Sequence, residues 1–186
     1  MAGMRTIVLP GIGGSGPGHW QSLWEAGDPT FVRFAPASWD EPDLVDWMDA
    51  LDAAVDATDE PPLLLAHSLG TLLVAHWAAR SDALVAGAFL VAVPDADGPA
   101  FPDAAPDFGG APRAPLRFPS VLVASSSDPY ASIEYDRTLA ADWGSEFVDA
   151  GAVGHLNERS GIGAWPDGRA LFASFARDTS PSAPAS

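Results

Sequence analysis

Short apolar runs alternate along the chain with longer segments in which apolar residues recur at helical spacing. The runs that predict strands are 6–9, 31–34, 63–66, 88–93, 121–124 and 146–149. The segments that predict helices are 19–26, 42–57, 69–80, 132–143 and 165–177. Several of the predicted strands are apolar throughout, which is typical of parallel strands covered on both faces. The pattern therefore predicts an α/β protein with a doubly wound sheet and no internal repeat.

Two segments interrupt this alternation. Residues 94–119 are rich in Pro and Gly and show neither a helical nor an alternating period. A loop of this length in a compact domain is usually functional or mobile, so we expect a cap beside the functional site, with an ordered surface excursion as the alternative. Residues 178–186 are of low complexity and predict a disordered tail. We therefore predict one domain over residues 1–177.

The charge balance excludes two classes of partner. The chain of 186 residues is 47% hydrophobic, enough for a substantial core, and carries 25 acidic against nine basic residues, a net charge of −16. This excess of negative charge argues against nucleic acid and against an anionic membrane surface. The longest apolar run, 84–93, is about half of what a membrane helix needs, and we recognise no targeting signal. We expect a cytoplasmic protein, and the composition carries no information on its oligomeric state.

Two missing residue types exclude several mechanisms. Every basic residue is Arg, so the chain has no P-loop lysine and no lysine for a Schiff base. It has no Cys, and hence no thiolate nucleophile and no cysteine-based zinc site. The four histidines, at positions 19, 67, 76 and 155, are not paired at metal-ligand spacing. We predict neither a metal ion nor another cofactor.

A glycine-rich loop follows the first predicted strand. Residues 10–18 read "PGIGGSGPG" and contain the spacing G-x-G-x-x-G of dinucleotide-binding sites. However, residues 16–18, Gly-Pro-Gly, oppose helix formation where that motif requires a helix. The motif also expects an acidic residue about 20 positions on, at the end of the second strand, and the nearest one, Asp40, comes well after that strand. A nucleotide-dependent oxidoreductase is therefore disfavoured.

Residues 63–70, "LLLAHSLG", combine an apolar strand, a tight turn and the start of a helix. This is the context of the G-x-S-x-G nucleophile elbow, in which small residues two before and two after the serine let strand and helix approach closely. Gly70 meets this requirement, whereas Ala66 replaces the usual first glycine. Ser68 is therefore the predicted nucleophile, and a helix N-cap is the alternative role for this serine.

A nucleophilic serine needs a base and an acid that orients the base, and in this architecture they follow in the order Ser, acid, His. Asp128 comes just past the fifth predicted strand, and His155 lies in a glycine-containing loop past the sixth. Both therefore meet Ser68 at the carboxyl edge of a parallel sheet. Asp95 and Asp97, just past the fourth strand, are alternatives to Asp128 as the acid.

Acyl transfer also needs two backbone N–H donors for the oxyanion. The residue after the nucleophile, Leu69, is expected to supply one, aided by the positive end of its helix. The glycine-rich loop is expected to supply the other, at Ile12. His19 and His67 are candidate substrate-side residues near the cleft, while His76, two turns into the helix, is expected to be structural.

Four stretches, "PGIGGSGPGHWQSLW", "AHSLG", "SSSDPY" and "GHLNERSGIGAWPDG", resemble in order the motifs of a small α/β-hydrolase family, the retinoblastoma-binding-protein-9-like or YdeN-like serine hydrolases. The resemblance spans about residues 7–175. It implies a reduced α/β-hydrolase fold of about six mostly parallel strands in the order 2-1-3-4-5-6, without the usual first two antiparallel strands. It also implies a triad of Ser68, Asp128 and His155. Asn157 and Trp165 match family positions and are expected to support the loop that carries His155.

The sequence thus predicts a serine hydrolase that cleaves a small carboxylic ester, or a related acyl bond, through an acyl-enzyme. A carboxylesterase is the expected type, and an amidase or peptidase would use the same chemistry. The alternative is a binding module that keeps the fold and uses the cleft or the 94–119 loop to capture a partner. An intact Ser, Asp and His order with two oxyanion loops argues against that alternative, since a pure binder needs none of them.

Overall fold

The computed structural model describes residues 4–179. Within that range the elements are β1 (Thr6–Leu9), α1 (Trp20–Gly27), β2 (Phe31–Arg33), α2 (Leu44–Asp56), β3 (Leu63–His67), α3 (Leu69–Ala78), β4 (Gly87–Val91), β5 (Ser120–Ala124), α4 (Ile133–Trp143), β6 (Glu146–Asp149) and α5 (Pro166–Thr179). Single 3-10 turns lie at Pro106–Phe108 and Glu158–Ser160. The last helix extends two residues into the predicted tail, and residues 180–186 of that tail lie outside the described range.

The six strands form one sheet in the order β2-β1-β3-β4-β5-β6, and every neighbouring pair is parallel. The predicted α/β architecture and strand order are therefore confirmed. The chain moves outward from β1 to β2 and then returns to β3 on the other side of β1. The loops that follow β1 and β3 consequently diverge, and the crevice between them is where open parallel sheets place their sites.

Both faces of the sheet are covered by helices, which explains why the strands are apolar throughout. Every residue of β3, β4 and β5 is buried. Alternate strand residues pack against α2, α3 and α4 on one face and against α1 and α5 on the other. The rigid centre of the sheet therefore carries the loops that follow β3, β4 and β5.

The 94–119 segment is mostly irregular and is tied to the core from two helices. Phe108 is fully buried, and its carbonyl oxygen accepts a hydrogen bond of 3.1 Å from Nε2 of His76 on α3. Nε1 of Trp143, at the end of α4, donates to the carbonyl oxygen of Pro112 at 2.8 Å. Both bonds hold the segment against this face of the sheet, and His76 is one of its two anchors.

Candidate active site

Ser68 occupies a strained turn between β3 and α3. Its backbone angles are φ 53° and ψ −124°, and a positive φ is uncommon for a residue with a side chain. Its N–H donates to the carbonyl oxygen of Val91 at 2.9 Å, which ties the turn to β4. The carbonyl oxygen of Ser68 accepts from both the N–H and the hydroxyl of Thr71, at 2.9 and 2.6 Å. Contacts on both sides thus hold the serine in this conformation.

Two glycines allow the backbone to pack closely around Ser68. A Cβ atom on Gly70 would lie 2.3 Å from the carbonyl oxygen of Leu9, and one on Gly11 would lie 2.9 Å from Cβ of Ser68. Atoms cannot approach so closely, so α3 and the glycine-rich loop reach these positions only without side chains. Ala66, which replaces the first glycine of the elbow motif, is fully buried in β3.

The three residues predicted to form a triad are joined by hydrogen bonds. Nε2 of His155 lies 2.8 Å from Oγ of Ser68. Nδ1 of His155 lies 2.8 and 3.0 Å from the two carboxylate oxygens of Asp128, whose side chain is fully buried. Because a carboxylate only accepts, Nδ1 carries the proton and Nε2 is free to accept from the serine hydroxyl. The N–H of Tyr130 donates to Asp128 Oδ1 at 2.9 Å and helps to fix the carboxylate.

Of the two alternative acids, Asp95 makes other contacts. The side chain of Asp95 accepts from the N–H of Asp97 at 3.0 Å, and its own N–H donates to the carbonyl oxygen of Tyr130. Within residues 4–179, neither aspartate hydrogen-bonds to His155. The structure thus brings Asp128, and neither alternative, to the imidazole.

Serine side chains join the loop of Asp128 to the loop of His155. The Oγ atom of Ser125 accepts from the N–H of Val153 at 3.0 Å, and Oγ of Ser127 accepts from the N–H of Gly154 at 2.9 Å. No role is predicted for these serines from the sequence. The only signal was the serine run in "SSSDPY" directly after a strand.

Ring N–H groups from two other segments bind carbonyl groups of the loop that carries His155. Nε2 of His67 donates to the carbonyl oxygen of His155 at 2.9 Å. Nε1 of Trp20, a fully buried residue on α1, donates to the carbonyl oxygen of Leu156 at 2.7 Å. Two consecutive carbonyls of this loop are therefore bound by ring N–H groups from the N-terminal half of the chain.

Asn157 and Trp165 stabilise the chain that follows His155. The side-chain oxygen of Asn157 accepts from the N–H of Arg159 at 3.0 Å, and its backbone N–H donates to Oγ of Ser160 at 3.1 Å. The ring of Trp165 packs edge-on against Trp20, with 5.2 Å between ring centroids. Both contacts fit the supporting role expected for these two residues.

Three imidazole rings lie in contact beside Ser68. The His67 ring lies 4.7 Å from that of His19 and 5.0 Å from that of His155. Burial, together with the charges of Arg33 and His155, lowers the pKa of His19 to about 4. Burial likewise lowers the pKa of His67 well below its usual value, with His155 and His19 adding to the effect. His19 and His67 are therefore uncharged at neutral pH.

His19 carries its proton on Nε2. Its Nδ1 atom accepts from the N–H of Gln21 at 3.2 Å as the N-cap of α1, so the proton must be on the other nitrogen. The Nε2 atom is buried and has no hydrogen-bond partner among residues 4–179. His19 thus keeps an unused donor at the wall of the cleft.

Two backbone N–H groups beside Ser68 are free. In the glycine-rich loop, the N–H of Gly13 donates to the carbonyl oxygen of Trp39, and that of Gly14 donates back within the loop. The N–H groups of Ile12 and Leu69 have no acceptor in the described part of the chain. Both residues line the same cleft as Ser68. These N–H groups are available to bind an oxygen atom of a ligand.

The cleft above Ser68 has a volume of about 740 Å³. The glycine-rich loop, His19, His67 and His155 line it. Residues 102–104 of the 94–119 segment, together with Glu158 and Arg159, also border the cleft. A small molecule can therefore reach the serine hydroxyl from solvent.

The geometry does not fit the nucleotide alternative. Helix α1 begins at Trp20, four residues beyond the last glycine of the fingerprint, so the glycine-rich loop does not lead directly into a helix N-terminus.

In residues 4–179, no group of three or more His, Cys, Asp or Glu side chains could hold a metal ion. Over the same residues, no helix is long and apolar enough to cross a membrane.

Known proteins share both the sequence pattern and the fold. A family model described as serine hydrolase matches residues 6–174. The chain is similar to a Pectobacterium atrosepticum protein described as a YdeN-like hydrolase, with 30% identity over 96% of this chain and 93% of the other, and a TM-score of 0.86. The Bacillus subtilis ydeN gene product has the same fold, with 19% identity, coverage of 92% and 98%, and a TM-score of 0.75. So does an esterase domain from Rhodothermus marinus, with 19% identity, coverage of 94% and 87%, and a TM-score of 0.66. No curated protein sequence matches the chain significantly. The family match over nearly the whole chain and the 30% identity show that it belongs to the small, YdeN-like serine hydrolases of the α/β-hydrolase fold.

Proposed function

We propose that this hydrolase cleaves a small carboxylic ester, or a related acyl bond, through a covalent intermediate on Ser68. The observation that carries the proposal is the continuous hydrogen-bond chain from Ser68 Oγ through His155 to Asp128, which opens into the cleft. A serine hydroxyl is a weak nucleophile unless a base accepts its proton, and the base needs a partner that fixes its tautomer. Nε2 of His155 lies where that base is needed, and the carboxylate of Asp128 is the partner bound to its Nδ1.

In the first half-reaction, Oγ of Ser68 attacks the carbonyl carbon of the substrate as Nε2 of His155 accepts the hydroxyl proton. Asp128 stabilises the imidazolium that forms. The negative charge that develops on the carbonyl oxygen is stabilised by the N–H groups of Ile12 and Leu69. When the tetrahedral intermediate collapses, the bond to the leaving group breaks and His155 donates its proton to the departing alcohol.

In the second half-reaction, water replaces the alcohol. His155 removes a proton from the water molecule as its oxygen attacks the acyl carbon, and the same oxyanion donors act again. Collapse of the second intermediate breaks the bond to Oγ, returns the proton to Ser68 and releases the carboxylic acid. All groups that transfer protons belong to the chain itself, so this scheme uses no cofactor.

The cleft supports a small-molecule substrate. Its volume of about 740 Å³ is within the range of ligand sites. His19 and His67 lie on the wall beside Ser68, and we assign His19 to the substrate side of the cleft. The unused Nε2–H of His19 is a donor that a substrate oxygen, or a bound water molecule, would satisfy.

Labelling with a fluorophosphonate probe tests the proposal. We expect the wild type to be labelled and Ser68→Ala to remain unlabelled, while Ser68→Ala hydrolyses p-nitrophenyl acetate about 10⁴-fold or more slowly in kcat. A Ser68→Ala protein with the wild-type rate would refute the mechanism. A folded wild type that takes up no label would favour the binding module instead.

A further inference from the structure

The loop that carries His155 takes its shape from contacts with other segments. Between β6 and the 3-10 turn at 158–160 it has no regular secondary structure. Three of its residues, Gly151, Gly154 and Leu156, have positive φ angles of 82°, 61° and 49°. The orientation of the peptide groups beside His155 therefore depends on the side chains that bind them.

His67 binds the carbonyl group of His155 itself. The His67 side chain is 4% exposed, and its Nε2 lies 2.9 Å from that oxygen. A carbonyl oxygen only accepts, so His67 holds its proton on Nε2. Since His67 directly precedes Ser68, this one bond joins the elbow of the nucleophile to the backbone of the base.

We propose that His67 is a positioning residue for His155. The Nε2–H of His67 fixes the carbonyl group of His155 and thereby keeps its imidazole within hydrogen-bond distance of Oγ of Ser68. This inference rests on the proposed function, because it assigns His155 the role of base. It adds a role that is separate from proton transfer, since the His67 ring touches neither the serine hydroxyl nor the carboxylate of Asp128 through a hydrogen bond.

The position of the bond explains why its loss would act on catalysis more than on folding. The next carbonyl, that of Leu156, is held independently by Trp20. Two further backbone N–H groups of the loop are bound by Ser125 and Ser127. Without the His67 bond, these contacts still hold the loop in place. The peptide group that follows His155, however, is free to rotate. A displacement of about 1 Å at a reacting group costs about a hundredfold in rate.

The uncharged state of His67 favours the protonation of the neighbouring His155. During the reaction His155 becomes a cation, and a second cation in the neighbouring ring would oppose that change. Burial lowers the pKa of His67 well below its usual value, so the ring stays neutral when His155 accepts the proton. A permanently charged donor such as Lys or Arg would lack this property.

Two substitutions of equal length separate the hydrogen bond from the packing. In Gln, the amide nitrogen is as many bonds from Cβ as Nε2 is in His, so His67→Gln keeps a neutral donor at this place. His67→Met has the same length and no donor. We expect His67→Met to lower kcat by about tenfold to a hundredfold with little change in KM, and His67→Gln to restore kcat to within about threefold of wild type.

The rates are measured with p-nitrophenyl acetate and divided by the number of fluorophosphonate-labelled sites, so that unfolded protein does not count. Equal kcat values for His67→Gln and His67→Met, whether both high or both low, would overturn the proposal.

The proton on Nδ1 of His155 is also followed by NMR, because its bond to Asp128 shifts the resonance downfield. We expect a signal in the wild type and His67→Gln and its loss through exchange with water in His67→Met.

The NMR measurement separates this inference from the proposed function. If the wild type hydrolyses no ester but its Nδ1 proton behaves as expected in the two variants, the positioning role stands and the assigned reaction is wrong. If the wild type is active and the resonance is the same in His67→Gln and His67→Met, the positioning role is wrong and the reaction stands.

Discussion

Replacement of Gly70 with alanine would place a methyl carbon 2.3 Å from the carbonyl oxygen of Leu9 and 2.8 Å from that of Pro10. Both oxygens belong to the backbone at the end of β1, so no side-chain rotation relieves the contact. To bring the shorter distance to 3.0 Å, α3 and β1 must separate by about 0.7 Å. That separation moves the N–H of Leu69, on α3, away from the N–H of Ile12, which follows β1.

We therefore expect Gly70→Ala to lower kcat/KM by roughly a hundredfold and the free energy of unfolding by about 1–3 kcal/mol. Hydrolysis of p-nitrophenyl acetate and thermal unfolding followed by circular dichroism measure the two effects. Gly27→Ala is the matched control, because a Cβ on this last residue of α1 meets nothing within 4 Å. The control should keep its activity and gain up to about 1 kcal/mol. A Gly70→Ala enzyme with wild-type kcat/KM would refute the close-approach argument.

Three further predictions concern the acid, a buried carboxyl group and the 94–119 segment. Asp128→Asn should lower kcat for ester hydrolysis by about three to four orders of magnitude, whereas Asp95→Asn should change it by no more than about twofold; a comparable loss in both variants would contradict the choice of Asp128. The carboxyl group of Asp136 is buried and has no hydrogen-bond partner in the described range, and burial together with the charges of Asp128 and Asp95 raises its pKa from 3.8 to about 8. The folded state therefore retains a proton that the unfolded state has lost, so this group lowers stability as pH rises from about 4 to about 8, by up to about 1.4 kcal/mol per pH unit; Asp136→Asn should remove that part of the slope in urea unfolding, and an unchanged slope would disprove the assignment. Phe108→Ala should lower the free energy of unfolding by about 3–5 kcal/mol and raise KM more than it lowers kcat, because the ring packs edge-on to Trp47 at 5.3 Å and anchors the segment that lines the cleft; an unchanged melting temperature would show that the anchor is not needed.

The fold could be predicted because parallel strands buried on both faces are apolar along their whole length. The first and last strands, Thr6–Leu9 and Glu146–Asp149, begin and end where the pattern places them. The fourth strand was predicted to end at Val93 and ends at Val91. Ala92 is buried and apolar but has a φ of 55°, so it leaves the strand conformation. The apolar character of residues 92 and 93 indicates that they are buried but does not indicate their backbone conformation. The apolar pattern therefore places the end of the strand two residues too late.

That Ser68, Asp128 and His155 lie close together could be predicted because each follows a strand of a parallel sheet, and such strands end at a common edge. The choice between Asp128 and Asp95 could not be settled in this way, since both follow strands. The hydrogen bonds of the folded site decide it: Nδ1 of His155 bonds to Asp128, and β6, which precedes His155, pairs with β5 and not with β4. Strand order follows from packing in three dimensions and has no signature in a single strand.

The contacts behind His155 could not be predicted from the sequence. The acceptors are backbone carbonyl groups, which every residue possesses, and His67 lies 88 residues away along the chain. The spacing of Trp20 and Trp24 by four residues indicated only that both pack in the core of the protein. They do so, and the ring N–H of Trp20 has a second role that its position in the sequence does not reveal.

The hydrogen bonds of two tryptophans join the first helix to segments near the end of the chain. Trp20 binds a carbonyl group 136 residues further along the chain, and Trp24 binds one 140 residues away, at Ala164. A growing chain therefore exposes its elbow serine long before the base has been made, and such contacts between distant segments form late in folding. A partial chain that ends before the base holds an ordinary, unreactive hydroxyl group. Under the proposed mechanism, hydrolysis would therefore begin only once the loop of His155 has been synthesised and has packed against α1.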